Sequence, residues 1–303
     1  MRGEHIPVLL EEVLDGLHIK SGRVYVDGTI GSGGHAVEIV KNGGFVIGID
    51  RDIEMLEIAR ESLKQACLAT DREVSGCFKL THGDYSQIDE IVEEKVDGVL
   101  LDLGISQLHY SRSKRGFSFK SPEELLDMRL DTSVQEVRAL DMLNALPYTQ
   151  LVKLFSVSLN RREAPRLSEK ITEERQRRPF KNVSDFVSLF SKKSGKVHPA
   201  TSAFMALRIA VNNELGAIQS GLPKAYSLLK LGGVLGVIAF HSSEDRVVTR
   251  SLRKLGDFAT ILPSLEEISK NPSARSARLH LITKDENSKQ KIKTAKGSND
   301  YWA

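Results

Sequence analysis

Apolar residues recur in two alternating rhythms over the first hundred positions. Val8, Leu9, Leu10, Val13, Leu14 and Leu17 fall at helical spacing, and short apolar runs of strand length follow. The pattern predicts strands over 23–27, 45–50, about 76–81 and 96–102, with helices over 34–42, 53–65 and about 86–94 between them. Strands separated by helices build a parallel sheet with covered faces, an α/β fold. After Asp102 the alternation stops, and it resumes only with the apolar run Val234 to Phe240. A plain crossover needs only about 30 residues, so the roughly 130 positions between Asp102 and Val234 hold an insertion. Within it the pattern predicts helices over 133–145, 147–157, 164–177 and 183–193. A helix over 200–218 then returns the chain to the sheet, with Phe204, Leu207, Val211 and Leu215 on one side. The expected division is 1–108 with 206–303 for the sheet and 109–205 for the insertion.

The turns after these strands carry the candidate chemistry. Asp27-Gly28-Thr29-Ile30-Gly31-Ser32-Gly33-Gly34-His35 joins the first strand to the next helix, and its glycines stand four and six positions after the acid. This is not the dinucleotide fingerprint G-x-G-x-x-G. It suits S-adenosylmethionine better, because a turn of this kind lets backbone approach a compact zwitterion beside a sulfonium. A tight turn in a parallel sheet is the plain alternative. The second strand ends at Asp50, where a carboxylate can accept both hydroxyls of an adenosine ribose, while Asp52 reads as a helix cap. Asp84 and Tyr85 follow the third strand, where an adenine ring would lie, or are a capping Asp beside a half-buried Tyr. Asp102 ends the fourth strand at the topological switch and is the best catalytic candidate. It could accept hydrogens from an exocyclic amine undergoing methylation, or hold the cofactor amino group. Rate enhancement would come mainly from positioning and a dry pocket.

The 303 residues are 40% hydrophobic, enough for a proper buried core. No apolar leader or bilayer-length run is present, so a cytosolic protein without a membrane partner is expected. Cys67 and Cys77 lie outside metal-ligand or redox spacing and are expected as bystanders, buried or neutral, rather than as a disulfide; no metal site is evident. The net charge of +3 is uneven. Residues 110 to 200 hold 18 Lys+Arg against 11 Asp+Glu, a surplus of seven, which leaves −4 for the remainder. A basic middle segment suits a nucleic acid, although it could be a solvated face. There, Arg115, Phe117 and Phe119 alternate as materials for stacking an unpaired base, or pack in a core. Arg208 and Asn212, four apart on one helix face, could read a base edge or pair with each other. His241 could contact base or phosphate, with Ser242 or Ser243 capping the following helix. The Lys-rich stretch 284–296 is read as mobile or RNA-facing.

Many ordered motifs together resemble the RsmH (MraW) methyltransferases. They are His5-Ile6-Pro7-Val8-Leu9-Leu10, Gly33-Gly34-His35, Gly48-Ile49-Asp50-Arg51-Asp52, Leu101-Asp102-Leu103-Gly104 and Arg115-Gly116-Phe117-Ser118-Phe119. Further along stand Leu126-Asp127-Met128-Arg129, Ala206 through Glu214, Phe240-His241-Ser242, Glu244-Asp245-Arg246 and Ala274-Arg275-Ser276-Ala277. The resemblance implies a doubly wound, Rossmann-like class I methyltransferase sheet with an inserted, RNA-facing helical subdomain. It implies S-adenosyl-L-methionine contacts from the segments of Gly33, Gly34, His35, Asp50 and Asp102. The implied acceptor is N4 of a cytidine in the decoding region of 16S ribosomal RNA in the small subunit. Departures are Tyr85 for a usual Phe, His109 for a usual Gln that makes it a cofactor candidate, Ser243 for a Leu, and Leu159 through Pro165 for an acidic, Ala-Arg-rich pattern. Two other classes stand beside this one: a non-catalytic RNA-binding assembly factor, and a nicotinamide oxidoreductase, disfavoured by the incomplete G-x-G-x-x-G. The sequence leaves the oligomeric state open, a homodimer included.

Overall fold

The computed structural model describes residues 7–111, 113–190 and 198–286. The alternation read from the sequence is present: α1 (Leu10–Gly16), β1 (Val24–Asp27), α2 (Gly34–Lys41), β2 (Phe45–Asp50), α3 (Ile53–Leu68), β3 (Phe78–His82), α4 (Ile88–Ile91) and β4 (Val96–Asp102). Then come the helices α5 (Gln107–Ser111), α6 (Ala139–Ala145), α7 (Tyr148–Phe155), α8 (Glu163–Arg177), α9 (Val183–Val187) and α10 (Thr201–Val211). The chain re-enters the sheet through α11 (Glu214–Leu228) and β5 (Leu229–Ala239), and continues with α12 (Ser242–Leu255), β6 (Ala259–Ile261), α13 (Leu265–Lys270) and β7 (Arg278–Thr283). It forms two compact units, one from the segments up to Gly104 and from Leu215 onward, the other from Ile105 to Glu214.

In the first unit seven strands lie in the order β3-β2-β1-β4-β5-β7-β6. β1 pairs in parallel with both β2 and β4, so the winding reverses between β1 and β4. Ligands of such sheets lie beyond the carboxyl strand ends at that reversal, which is where Asp27 and Asp102 stand. Side-chain alternation along β4 feeds two cores: Val99 and Leu101 enter one with Leu222, Val248 and Leu252, while Leu100 enters the other with Leu9, Val13, Ile39 and Leu63. Each such fully buried aliphatic side chain contributes about 1.5–3 kcal/mol. Among the described residues no helix is long and apolar enough to cross a membrane.

Several expectations need correction. The antiparallel pairs β5–β7 and β6–β7 were not anticipated, because β6 has only three residues, none of them buried, and β7 carries His280 in place of an apolar residue. The single helix expected over 200–218 is two, broken at Asn212 and Asn213, where Asn213 takes φ +48°. The first of the helices expected in the insertion starts at Ala139 rather than 133, where the Arg138 amide and guanidinium both donate to the Asp141 carboxylate. Cys67 and Cys77 are both buried, but they form a disulfide. The end of α3 and the turn before β3 bring their Cα atoms to 6.0 Å, within bonding range, a proximity that spacing alone did not reveal. Lys284, at the start of the Lys-rich stretch, is tied down: its Nζ donates to the Ser227 and Leu229 carbonyls. The rest of the Lys-rich stretch beyond Glu286, and His5 and Ile6 of the first motif, lie outside the described residues.

The second unit has its own core, in which Phe155, Phe180, Phe186 and Phe204 pack with Leu151, Leu167 and Ile171.

Candidate cofactor and acceptor site

The turn after β1 is locked to its neighbours by backbone bonds. Gly28 N–H donates to the Leu100 carbonyl at 2.9 Å and Ile30 N–H to the Ile49 carbonyl at 3.0 Å. Gly31 and Gly33 take φ +52° and +89°, a region that favours glycine. The Gly31 amide donates to Asp50 Oδ2 at 2.8 Å, and the Asp52 amide to Asp50 Oδ1 at 2.8 Å. These two bonds orient the Asp50 carboxylate between the two strand ends. Asp52 caps α3 by accepting from the Glu54 amide, as the sequence indicated. Gly34 approaches Pro7 so closely that a Cβ would lie 2.8 Å from its Cγ.

Three more acids lie around this turn. Asp27 is 2% exposed, and burial, with the nearby charge of Asp50, pushes its carboxyl up to about 7 despite the Thr29 amide at 3.2 Å. The Asp102 amide donates to Thr29 Oγ1 at 2.6 Å. Its carboxyl is held well above the usual range by burial and then by the charges of Asp27 and Glu244. Asp102 Oδ1 is buried with no hydrogen-bond partner, and Oδ2 lies 3.7 Å from His35 Nδ1. His35 Nε2 donates to the Val8 carbonyl at 2.9 Å, which orients the ring with Nδ1 toward Asp102. Crowded acids and an orphaned acceptor fit a ligand that brings positive charge and N–H groups.

Of the remaining candidates in this unit, Asp84 pairs with Arg51 and accepts from the Ser86 amide at 2.8 Å, at the carboxyl end of β3. Tyr85 packs in the core, 8% exposed, with its ring against Gly221. The cap of α12 is His241 itself, not Ser242 or Ser243: its Nδ1 accepts from the Glu244 amide at 3.3 Å. Its Nε2 lies 2.9 Å from Glu244 Oε1 but outside hydrogen-bond geometry. Glu244, buried at 1% exposure, accepts from the Phe240 amide through its other oxygen.

The second unit uses most of its candidates as struts. Asn212, 2% exposed, accepts from the Leu130 amide at 2.9 Å and donates to the Met128 and Arg208 carbonyls, so its amide does not face a base edge. Arg115 donates to the Arg129 and Leu130 carbonyls and lies over the Phe117 ring. The Arg208 guanidinium forms a two-point pair with Glu214, while its carbonyl accepts from Asn212. The Asn212 and Arg115 contacts brace residues 128–130, where Met128 takes φ +64°. Phe117 is core, and His109, 5% exposed, meets it edge-on. Only Phe119, half-buried and stacked on His198 at 4.6 Å, retains the character of a stacking platform. Asp27, Thr29, Glu244 and His198 were not singled out from the sequence. Asp27 opens the glycine turn and was legible there, whereas the other three depend on folding.

A model of the MraW methylase family matches residues 2–260. The chain belongs to that family. Among its relatives, the ribosomal RNA small subunit methyltransferase H of Dictyoglomus thermophilum is 38% identical over 299 residues, covering 94% of this chain and 98% of that one. The protein of the same name from Persephonella marina is 38% identical, covering 92% and 98%. A solved rRNA methylase from Streptococcus thermophilus superposes with a TM-score of 0.46 at 10% identity, covering 93% of this chain and all of that one. MraW methylases depend on S-adenosylmethionine, and the acid-lined glycine turn fits that cofactor's cationic sulfonium, amino group and ribose.

Proposed function

We propose that this protein transfers a methyl group from S-adenosylmethionine to N4 of a cytidine in small-subunit ribosomal RNA, in the decoding region. The observation that carries the reading is the buried, unpartnered Asp102 Oδ1 at the switch point, next to a glycine turn already tied to Asp50. The bound cofactor would supply an electrophilic methyl group. The turn through Gly31, Gly33 and Gly34 would present its backbone to the cofactor, Asp50 would accept its ribose hydroxyls, His35 and Asp27 would hold its charged end, and Asp84 its adenine.

Asp102 would accept an N–H of the cytosine amine and turn the nitrogen lone pair out of conjugation with the ring. The role asked of its unpartnered Oδ1 is that of a hydrogen-bond acceptor, and a strong base is not required. The methylated, aryl-bound ammonium first formed is acidic enough to lose its proton to water and leave the neutral N-methyl amine, so positioning and exclusion of solvent supply most of the rate. The inserted unit, with its basic surplus and the Phe119–His198 stack, would face the RNA.

Radiolabel transfer to purified small-subunit particles tests the reading. Label in RNA supports it, and label in protein alone rejects it. Stable binding to subunits with no transfer under any condition would instead favour an assembly factor that retains the fold.

A further inference from the structure

Two of the motifs, Glu244-Asp245-Arg246 and Ala274-Arg275-Ser276-Ala277, contribute only Glu244 to the pocket described above. The fold delivers both to one edge of the sheet. β7 runs antiparallel to β5, and its first residue, Arg278, pairs with Ala239, the last residue of β5. That places Arg278 at the carboxyl edge, two positions beyond which the partner strand leads into His241. Side chains alternate along a strand, so Arg278 shares the face of His280. His280 Nε2 in turn meets Asp245 Oδ1 at 2.9 Å, which fixes the first turn of α12 against β7 on that same face. Arg246 follows directly. Just before β7, the turn Pro272–Ser276 anchors itself through buried Ala274, with Ala277 buried behind it, and leaves Arg275 and Ser276 exposed.

Arg246, Arg275 and Arg278 are all exposed, and none has an ion-pair partner among the described residues. The nearest acids in sequence are already engaged: Asp245 with His280, and Glu244 in the interior with the Phe240 amide. The cluster is not a by-product of general basicity, since the chain outside residues 110–200 carries a net −4. The planar guanidinium forks match phosphate oxygens, and an RNA strand offers such a group at every nucleotide along the edge.

We propose that Arg246, Arg275 and Arg278 form a phosphate-binding rim in the sheet unit that grips the backbone of the acceptor RNA strand, separate from the basic inserted segment. The proposal rests on the RNA-methylation reading above. Phosphate contacts of this kind position a strand without reading its sequence.

The test combines fluorescence anisotropy on a labelled single-stranded RNA of about 20 nucleotides, across a salt series, with methyl transfer to small-subunit particles. The triple substitution R246Q/R275Q/R278Q is expected to weaken RNA binding at least about tenfold and to flatten the slope of log K against log salt by about 2. KM for RNA should rise more than kcat falls, and affinity for S-adenosylhomocysteine should be unchanged. R246K/R275K/R278K should keep the native slope, and R60Q on α3, across the sheet, should change nothing. Should the triple variant fail to fold, R275Q alone, on an exposed side chain, is expected to flatten the slope by about 0.7. Native RNA affinity and slope in a folded glutamine variant would overturn the proposal, as would a parallel loss of cofactor affinity. A native chain that shows the rim-dependent slope but transfers no methyl group would sink the methylation reading and leave the rim standing. Normal transfer with no dependence on the rim would do the reverse.

Discussion

Gly31 and Asp50 are joined by a 2.8 Å hydrogen bond from the glycine amide to the carboxylate. The bond ties the turn leaving β1 to the end of β2, so each half of the cofactor pocket holds the other in place. It depends on the left-handed backbone of Gly31 (φ +52°), which aims the amide across to the neighbouring strand. A side chain there would be strained whatever the space around it.

If the proposed role of Asp102 holds, Asp102→Ala should reduce methyl transfer by at least about 100-fold while leaving β4 buried. Circular dichroism and thermal unfolding should remain native-like. Turnover near the native rate in the folded variant would remove Asp102 from the chemistry.

The raised carboxyl of Asp27 sets a pH dependence. Its folded value of about 7 lies above the ordinary 3.8, so between these limits the folded state keeps a proton that the unfolded state has released. Stability is therefore lost as pH rises from about 4 to 7 and is level above that. Asp27→Asn should gain stability across that window, up to the order of 4 kcal/mol at neutral pH and above, while weakening affinity for the cationic cofactor. Melting temperatures at about pH 5 and pH 8 check this, the gain being larger at the higher pH. An equal gain at both would contradict it.

Asn212→Ala should act on stability and not on recognition. It orphans the buried Leu130 amide and the Met128 carbonyl, a loss of about 2–4 kcal/mol in denaturant unfolding. A fully stable variant with a raised KM for RNA would restore Asn212 as a base-reading residue.

The Cys67–Cys77 disulfide closes a loop with a sequence separation of 10, for which chain entropy suggests about 2–3 kcal/mol. Melting with and without reductant, beside a Cys67→Ser/Cys77→Ser variant, should show that loss in the reduced protein and no further reductant effect in the variant.

The sheet was legible because β1, β2 and β4 are apolar runs that end in acids at turns, and Asp27, Asp50 and Asp102 are those acids. The antiparallel edge was not. β7 buries His280 by pairing it with Asp245, 35 positions earlier, which no local pattern encodes. Asn212 and Arg115 likewise look like nucleic-acid ligands in sequence, since a polar side chain on a strut and one on a binding face have the same composition. Only the folded positions of residues 128–130 separate the two. His241 was read as a residue beside a serine cap, whereas its own imidazole takes the cap and faces Glu244.

Nucleoside mass spectrometry of small-subunit ribosomal RNA, from cells with the gene intact, deleted, and restored as Asp102→Ala, tests methyl transfer most directly. N4-methylated cytidine should be present in the first and lost in the other two. An unchanged level after deletion would contradict the assignment of this chain as the enzyme that places it.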